Sequence, residues 1–380
     1  MTAPRKDLQV DLEIRPVRSA RQFLDLQRAF YRGDPDYVPP ITMAESWQLE
    51  PHKNPFFQHA QFDKFAAYRG SECVGRISTA RDQLHDDFHG DRIGFFGHFE
   101  ARDEATAHHL LQHAADWCRQ RSATALRGPV DLSTNYRCGL LVEGQPGPPV
   151  MMMPHNPKAY ADWIESFGMH KAKDLLALYG TEHTLDRGRM DKLTARIEKR
   201  TGIVVRRVDL KRFDAECRVL WDLYERIWER NWGFVPMTEG EFLAQAKDLK
   251  KVAHPSLLHI AEKDGEPVGF VLALPDTNVG AKACNGRLLP FGWWKFLRAM
   301  KHKHLIRVLT LGALAEYRKT GLDMLLMNKV TSDGIDAGFG AVEASWILED
   351  NTDMLGPLQS LGCEPYRRYR VYERPLTDRA

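Results

Sequence analysis

The chain has 380 residues, of which 43% are hydrophobic and 27% charged. This is the composition of an ordinary globular protein, and the length suggests two domains. Its 53 Lys and Arg nearly balance its 51 Asp and Glu, so we expect no nucleic-acid partner. No apolar run approaches the ~18 residues of a membrane span, and the first 16 residues lack the apolar run of a signal peptide. The six cysteines stand singly, without a CxxC pair. We therefore expect reduced thiols, no metal and a cytoplasmic location.

The first half of the chain begins with signals for an amphipathic helix. A capping box at 19–22 precedes apolar residues with helical spacing. A polar turn at 69–71 between two strand-like runs predicts a hairpin. The elements predicted after it are a strand at 92–100, a helix at 104–121 and a strand at 125–130. This order is typical of a βαβ crossover between parallel strands.

The second half follows the same order. Its first helix carries apolar residues spaced by four, three, four and three, at Phe213, Cys217, Leu220, Tyr224 and Ile227. A hairpin with its turn at 263–265 comes next. The following elements are predicted as a strand at 307–314, a helix at 321–337 and a strand at 341–348.

Two pairs of short segments indicate a duplication. Gly75 and Gly269 lie in similar Glu-x-Val-Gly segments, and Gly168 and Gly362 in similar Ser-x-Gly segments; both pairs are separated by 194 positions. We therefore predict one domain at 1–185, a polar linker helix at 186–200 and a second domain at 201–380. Each domain is expected to be an α/β (α+β) unit with a mixed sheet.

Each half carries one long insertion. The first, 136–155, is rich in Gly and Pro, and the second is 276–304. Long loops in compact domains are usually functional or disordered, so both are candidate substrate elements. Within the second, 288–304 mixes large apolar groups with Lys and Arg. This composition suits peripheral contact with a membrane or a lid over an acyl chain. The alternative is a helix packed on its own domain with a solvated basic end.

One segment of the second half carries recognisable chemistry. An apolar strand at 308–314 leads into the basic pair Arg318-Lys319, then Gly321 and an apolar-periodic helix. A helix N-terminus offers unpaired N–H groups and a positive dipole end, and glycine lets a ligand approach the backbone. The segment is a candidate pyrophosphate site. A basic turn with a tightly packed glycine is the alternative.

Arg318-Lys319-Thr320-Gly321-Leu322-Asp323 resembles the acyl-CoA pyrophosphate loop of the GNAT N-acyltransferase superfamily, (Arg/Gln)-x-x-Gly-x-(Gly/Ala). It departs from this pattern at Asp323. The order of elements is also similar to GNAT, twice over. The resemblance implies two tandem GNAT-like domains, each a mixed, mostly antiparallel twisted sheet flanked by helices. It further resembles a bacterial group that includes ceramide synthases. The residues implied in CoA binding are Leu311, Ala313, Arg318, Lys319, Thr320, Gly321, Leu322, Asp323 and Asn351.

The equivalent loop of the first half is acidic. Glu100, Asp103 and Glu104 surround Arg102, and no glycine is present. Carboxylates here would repel a pyrophosphate. We therefore expect CoA to bind the second half, and the first half to be a scaffold or to bind the acceptor.

Acylation of an amine requires a group that takes up a proton. By resemblance, Glu349 or Asp350, at the end of the strand beside the thioester, is the favoured base, and Asn351 fits the superfamily pattern. Leu358 stands where the superfamily often has a tyrosine acid. Helix capping by Asp350 or Asn351 is the alternative. His98 and Glu100, on one strand face of the first half, are a second acid/base pair, with strand-end surface polarity as the alternative.

The resemblance implies an acyl-CoA-dependent N-acyltransferase that acts on a primary amine, including a long-chain sphingoid amine. Acyl-CoA would be the donor and no metal would be needed. A non-catalytic acyl-CoA or lipid-binding protein and a small-molecule N-acetyltransferase are the alternatives.

Overall fold

The computed structural model describes residues 12–376. The first 16 residues, in which the sequence shows no signal-peptide pattern, lie mostly outside this range. The elements of the first half are, in chain order, β1 (Leu12–Pro16), α1 (Ala20–Phe30), α2 (Thr42–Ser46), β2 (Ala60–Arg69), β3 (Glu72–Asp82), α3 (Gln83–His89), β4 (Ile93–Ala101), α4 (Glu104–Arg119), β5 (Ala125–Gly128), β6 (Leu140–Gly144), α5 (Ala159–Ser166) and β7 (His170–Thr181).

Between the halves lies α6 (Arg187–Thr201), close to the linker predicted at 186–200; the domain bounds stay a prediction, and the elements after α6 are described as the second half. Its elements are β8 (Ile203–Arg207), α7 (Phe213–Trp228), α8 (Glu239–Lys250), β9 (Leu258–Lys263), β10 (Glu266–Pro275), α9 (Asn278–Ala283), α10 (Gly292–Met300), β11 (Leu305–Ala313), α11 (Leu322–Asp336), β12 (Ala341–Leu348), α12 (Thr352–Ser360) and β13 (Glu364–Pro375). The predicted hairpins, crossover helices and strands are all present.

All the strands within residues 12–376 belong to one thirteen-stranded sheet. Its order is β1-β2-β3-β4-β5-β13-β7-β12-β11-β10-β9-β8, with β6 attached to β13. The fold class is the predicted one, a mixed and mostly antiparallel sheet flanked by helices. The two halves, however, share a single sheet.

The sheet is continuous because the two halves exchange their last strands. β7 ends the first half but pairs with β12 of the second. β13 ends the second half but pairs with β5 of the first. β7 and β13 also pair with each other, antiparallel. Gly168 and Gly362, the glycines of the second repeat marker, precede these strands with φ values of 89° and 93°, a backbone region that favours glycine.

Each half contains one parallel strand pair that separates partway along. β4 and β5 are paired only from Ile93 to Phe95 of β4. β11 and β12 are paired from Leu305 to Val308 of β11. Beyond these positions the ladders end, although the Val130 N–H still donates to the Phe96 carbonyl over 2.6 Å; we call the unpaired stretches the gaps in the sheet. The gaps position the candidate sites.

A buried charged cluster also links the halves. His59 Nδ1 lies 2.8 Å from Asp82 Oδ1, and its Nε2 lies 3.2 Å from Glu241 Oε2 on α8. The Tyr136 hydroxyl donates to the same Glu241 over 3.0 Å. Burial alone would lower the pKa of His59, but the hydrogen bonds to Asp82 and Glu241 outweigh it and raise the pKa to about 9. At neutral pH the imidazolium therefore pairs with a carboxylate of each half.

The His59 cluster predicts a specific loss of stability at alkaline pH. Because the pKa of His59 is higher in the folded protein than in the unfolded chain, protonated His59 stabilises the folded state. This contribution is complete below the unfolded pKa of about 6.5 and is lost as the pH rises through 9. The shift corresponds to a contribution on the order of 3 kcal/mol. In denaturant titrations, the free energy of unfolding of wild type should exceed that of His59→Gln by a larger margin at pH 6 than at pH 9.5. An advantage that is the same at both pH values would contradict the assignment.

Candidate functional site

The basic loop of the second half leads into an uncapped helix. Gly321 is the N-cap of α11, with φ of 93°, and among the described residues no side chain accepts a hydrogen bond from the helix N-terminus. A Cβ at Gly321 would lie 2.7 Å from Cδ1 of Ile197 on α6. Glycine is thus required by both the backbone and the packing. The first N–H groups of α11 keep the capacity to bind an anion.

The side chains of this loop differ in whether they already have hydrogen-bond or ion-pair partners. The Arg318 guanidinium donates to the Ile227 carbonyl over 3.0 Å, and the Thr320 hydroxyl donates to the Tyr317 carbonyl over 2.7 Å. Lys319 is exposed, and its ammonium has no carboxylate partner within residues 12–376. Burial raises the pKa of Asp323, against the effect of Arg318. Lys319 is therefore the cation of the loop that is free to meet a ligand.

The equivalent helix of the first half already holds an anion at its N-terminus. Asp103 caps α4 by accepting from the Thr106 N–H over 2.8 Å. It also pairs with Arg69 over 2.6 Å, whose hydrogen bond lowers the pKa of Asp103 to about 2. A second anion would meet a permanent negative charge here. This is the geometry expected of a half without a phosphate loop.

The residues that follow β12 lie at the surface. Glu349 is 2.6 Å from Lys171 and Asp350 is 2.8 Å from Lys173, both across to β7. The hydrogen bond from Lys173 lowers the pKa of Asp350. Asn351 caps α12 and accepts from the Met354 N–H. These three residues, which the sequence nominated for catalysis and CoA binding, hold ion-pair and capping partners and line none of the cavities described next.

An apolar cavity of about 290 Å³ lies beside the separated strands β11 and β12. We call it the apolar cavity; its walls include Leu220, Tyr224, Phe242, Leu272, Leu309 and Trp346. They come from α7, α8, β10, β11 and β12. Such a wall recognises hydrocarbon through burial of apolar surface.

A smaller cavity of about 90 Å³ lies beside the separated strands β4 and β5. We call it the polar cavity; its walls include Glu45, Arg76, His98, Glu100, Asp131 and Arg137. The structure therefore brings His98 and Glu100 together in one cavity. The basic loop, Glu349 and Asp350 belong to the other half.

Glu100 is a fully engaged buried carboxylate. It accepts from the hydroxyls of Tyr31 (2.8 Å) and Tyr160 (3.0 Å) and from the Gln27 amide (2.9 Å). Arg76 lies 3.6 Å away. Burial raises the pKa of Glu100, against these partners. Its oxygens are held in place, so it is well suited to position neighbours.

His98 is held in an unusual backbone conformation, with φ of 46°. Its N–H donates to Asp131 Oδ1 over 2.6 Å, and its Nδ1 is 2.9 Å from the Ser78 hydroxyl. Burial lowers the pKa of His98 to about 3, although Asp131 opposes this. The imidazole is therefore neutral at pH 7. A constrained, neutral imidazole at a cavity wall is typical of functional sites.

A third cavity, of about 380 Å³, lies between the halves. We call it the interface cavity; its walls include Trp47, Tyr136, Met151, Gln245, Leu288 and Phe296. It shares Glu45, His98, Asp131 and Arg137 with the polar cavity. Met152 lines all three cavities. The three cavities therefore adjoin at this side chain.

The sequence did not single out Glu45, Asp131 or Arg137. Asp131 follows the end of β5, and Arg137 is the second residue of the Gly/Pro-rich insertion already noted as a substrate element. Their scattered positions give no motif. In the described residues, no group of three or more His, Cys, Asp or Glu is arranged to hold a metal.

Solved structures share this architecture. A tandem GNAT protein from the clavulanic acid biosynthesis pathway matches 97% of this chain and all of its own, with a TM-score of 0.59 and 15% identity. A GCN5-related N-acetyltransferase from Sphaerobacter thermophilus matches 97% of this chain and 96% of its own, at TM-score 0.54 and 13% identity. The fold is that of a tandem GNAT protein, as the sequence predicted.

Two relatives match almost the whole sequence. The bacterial ceramide synthase of Caulobacter vibrioides (strain NA1000 / CB15N) is 36% identical over 387 residues, covering 98% of this chain and 100% of that protein. Protein YghO of Escherichia coli (strain K12) is 34% identical over 365 residues, covering 94% and 93%. No protein-family profile matches. The chain belongs to the tandem GNAT family of these two relatives, and fold and relatives together support acyl transfer as its class of reaction.

Proposed function

We propose that this protein is an acyl-CoA-dependent N-acyltransferase that transfers a long acyl chain to a long-chain primary amine, of the sphingoid type. The observation that carries the proposal is the apolar cavity beside β11 and β12. It lies in the half whose helix α11 is uncapped. An acyl group longer than acetyl would be needed to fill it. The name of the C. vibrioides relative supports the same substrate class.

The loop 318–323 fits the pyrophosphate of CoA. The free N–H groups at the start of α11 and the exposed ammonium of Lys319 together favour a dianionic group. CoA supplies an acyl group activated as a thioester. The backbone of Leu311 and Ala313 lies on the part of β11 that has separated from β12. We propose that it orients the thioester carbonyl.

The amine nitrogen must lose a proton before it attacks the thioester. Of the four proposed acid/base residues, His98 and Glu100 line a cavity, whereas Glu349 and Asp350 are paired with lysines. We therefore favour His98 as the proton acceptor. Its imidazole is neutral and can therefore accept a proton, but burial makes it a weak base, so Asp131 beside it would have to stabilise the imidazolium that forms.

Reversing the charge of Lys319 should weaken CoA binding. Lys319→Glu removes the free cation of the loop without removing a contact of the fold, so the affinity for free CoA should fall about tenfold at low salt. The loss should shrink at high salt, because ions screen exposed charges. Isothermal titration of free CoA measures it. Lys53→Glu, the same change at an exposed residue of the first half, is the control, and equal affinities in both variants would exclude the loop.

Donor affinity should rise with acyl length. Each buried methylene contributes ~0.8 kcal/mol, or about fourfold in affinity, until the cavity is full. Leu220→Trp, on the cavity wall, should lower palmitoyl-CoA affinity at least tenfold and leave acetyl-CoA affinity unchanged. Leu193→Trp, at an exposed position of α6, is the matched control. The measurement is titration of both donors below their micelle concentrations.

The outcomes separate the alternatives. Equal affinities for acetyl-CoA and palmitoyl-CoA in wild type would favour a small-molecule N-acetyltransferase. Tight binding of palmitoyl-CoA without CoA release in the presence of long-chain amines would favour a non-catalytic binding protein.

We also propose that α10 contacts a membrane surface. Its outer face and the turn before it expose Leu289 (73%), Phe291 (77%), Trp293 (50%), Trp294 (54%) and Leu297 (54%). Exposed basic residues accompany them at Lys295, Arg298, Lys301 and Lys303. This pairing of tryptophans with cations suits an anionic bilayer interface. None of the helices within residues 12–376 is long and apolar enough to cross a bilayer.

Vesicle sedimentation tests the membrane contact. Wild type should bind phosphatidylglycerol-containing vesicles more strongly than phosphatidylcholine vesicles. The double variant W293S/W294S should bind at least tenfold more weakly, because it removes apolar surface that would leave water. Val204→Ser, which removes an exposed apolar side chain from edge strand β8, should bind like wild type. Equal binding by all three proteins would exclude α10 as the contact.

A further inference from the structure

The polar and interface cavities form one space in which charges are unevenly satisfied. Arg137 pairs with Asp131 over 2.7 Å, and Arg76 lies 3.6 Å from Glu100. The side chain of Glu45 lines both cavities. In the part of the chain that the structure describes, it has neither a hydrogen-bond nor an ion-pair partner. Glu45 is partly exposed, and its oxygens are not among the buried polar atoms that lack a partner, so its carboxylate is accessible to a ligand that enters the space.

The charge around Glu45 favours a cationic ligand. The charged wall residues of the polar cavity are Glu45, Glu100, Asp131, Arg76 and Arg137, that is, three carboxylates against two guanidinium groups, with a neutral imidazole at His98. The interface cavity adds Asp248 and Lys251, which pair with each other. With all these groups ionised, the space carries one excess negative charge. A single ammonium group would balance it.

The far end of the space is apolar and leads to the surface. Leu24, Ile41 and Leu132 line the interface cavity near the charged residues. Leu288 and Phe296 line it toward α10. Phe296 thus faces the cavity from the helix whose other face carries the exposed tryptophans. A hydrocarbon chain in the cavity would run from the carboxylates to this surface.

We propose that the joined polar and interface cavities bind the acceptor amine, with the ammonium group against Glu45 and the alkyl chain directed toward α10. This inference rests on the proposed function and assigns its acceptor site to the first half. Glu45 acts here as a binding residue. Burial raises the pKa of Glu45, supported by Asp131 and opposed by Arg137, Arg76 and Arg28. A bound ammonium would favour the ionised carboxylate.

Binding of two matched probes to the full-length chain tests the site. Decylamine and 1-decanol have the same alkyl chain, and only the amine is cationic at pH 7. Below the micelle concentration of decylamine and the solubility limit of 1-decanol, wild type should bind decylamine at least tenfold more tightly. Glu45→Gln keeps the shape of the side chain and should lose this preference. Glu72→Gln, at an exposed residue of the first hairpin, should keep it.

Two results would overturn the assignment. One is equal affinity of wild type for decylamine and 1-decanol. The other is a Glu45→Gln variant that retains the preference. Palmitoyl-CoA affinity, measured on the same proteins, separates this failure from failure of the proposed function. If Glu45→Gln binds palmitoyl-CoA like wild type, the donor site is intact and the result concerns the amine alone. If wild type does not bind palmitoyl-CoA, the proposed function fails, whereas the decylamine comparison still tests Glu45.

Discussion

The exchange of the final strands is the constraint on which the rest of the structure depends. β7 and β13 lie side by side at the centre of the sheet, and each completes the sheet of the other half. Every hydrogen bond from β7 to β12 and from β13 to β5 therefore joins the two halves. This fixes the distance and orientation between two gaps in one sheet. A flexible linker between separate domains could not do so.

Because the halves are fixed, their surfaces can form cavities that neither half encloses alone. The interface cavity takes walls from α2 of the first half and α8 of the second. The His59 cluster and the hydrogen bond from Arg307 to the Met151 carbonyl (2.7 Å) support the same boundary. Insertion 136–155 lines all three cavities. The duplicated halves have diverged. The second half has an uncapped helix and an apolar cavity, whereas the first half has ion pairs in the wall of its polar cavity.

The sequence predicted local structure well because that structure follows from short-range patterns. The strand predicted at 341–348 has these bounds in β12, and the crossover helices differ from their predicted ends by one or two residues. The strand exchange could not be predicted, because a hydrophobic pattern shows that a strand is buried without naming its neighbour.

The GNAT fold was confirmed, whereas the roles of individual site residues stay predictions. Glu349 and Asp350 showed the right residue type at a strand end, but only the fold reveals their lysine partners. Glu45 lies in a short helix with no motif, and only the fold places it beside Asp131.

The duplication also suits a reaction that joins two hydrocarbon chains. Each methylene withdrawn from water or returned to it changes the free energy by ~0.8 kcal/mol, so both chains need apolar surroundings while their polar ends meet. A single separated strand pair offers one gap. Two halves in one sheet offer two gaps with unlike walls, one apolar for the donor chain and one charged for the amine, under the proposed function. Met152 lies where the cavities meet, and methionine is flexible enough to move aside. A tandem fold thus provides what one GNAT unit lacks, a second compartment at a fixed distance from the first.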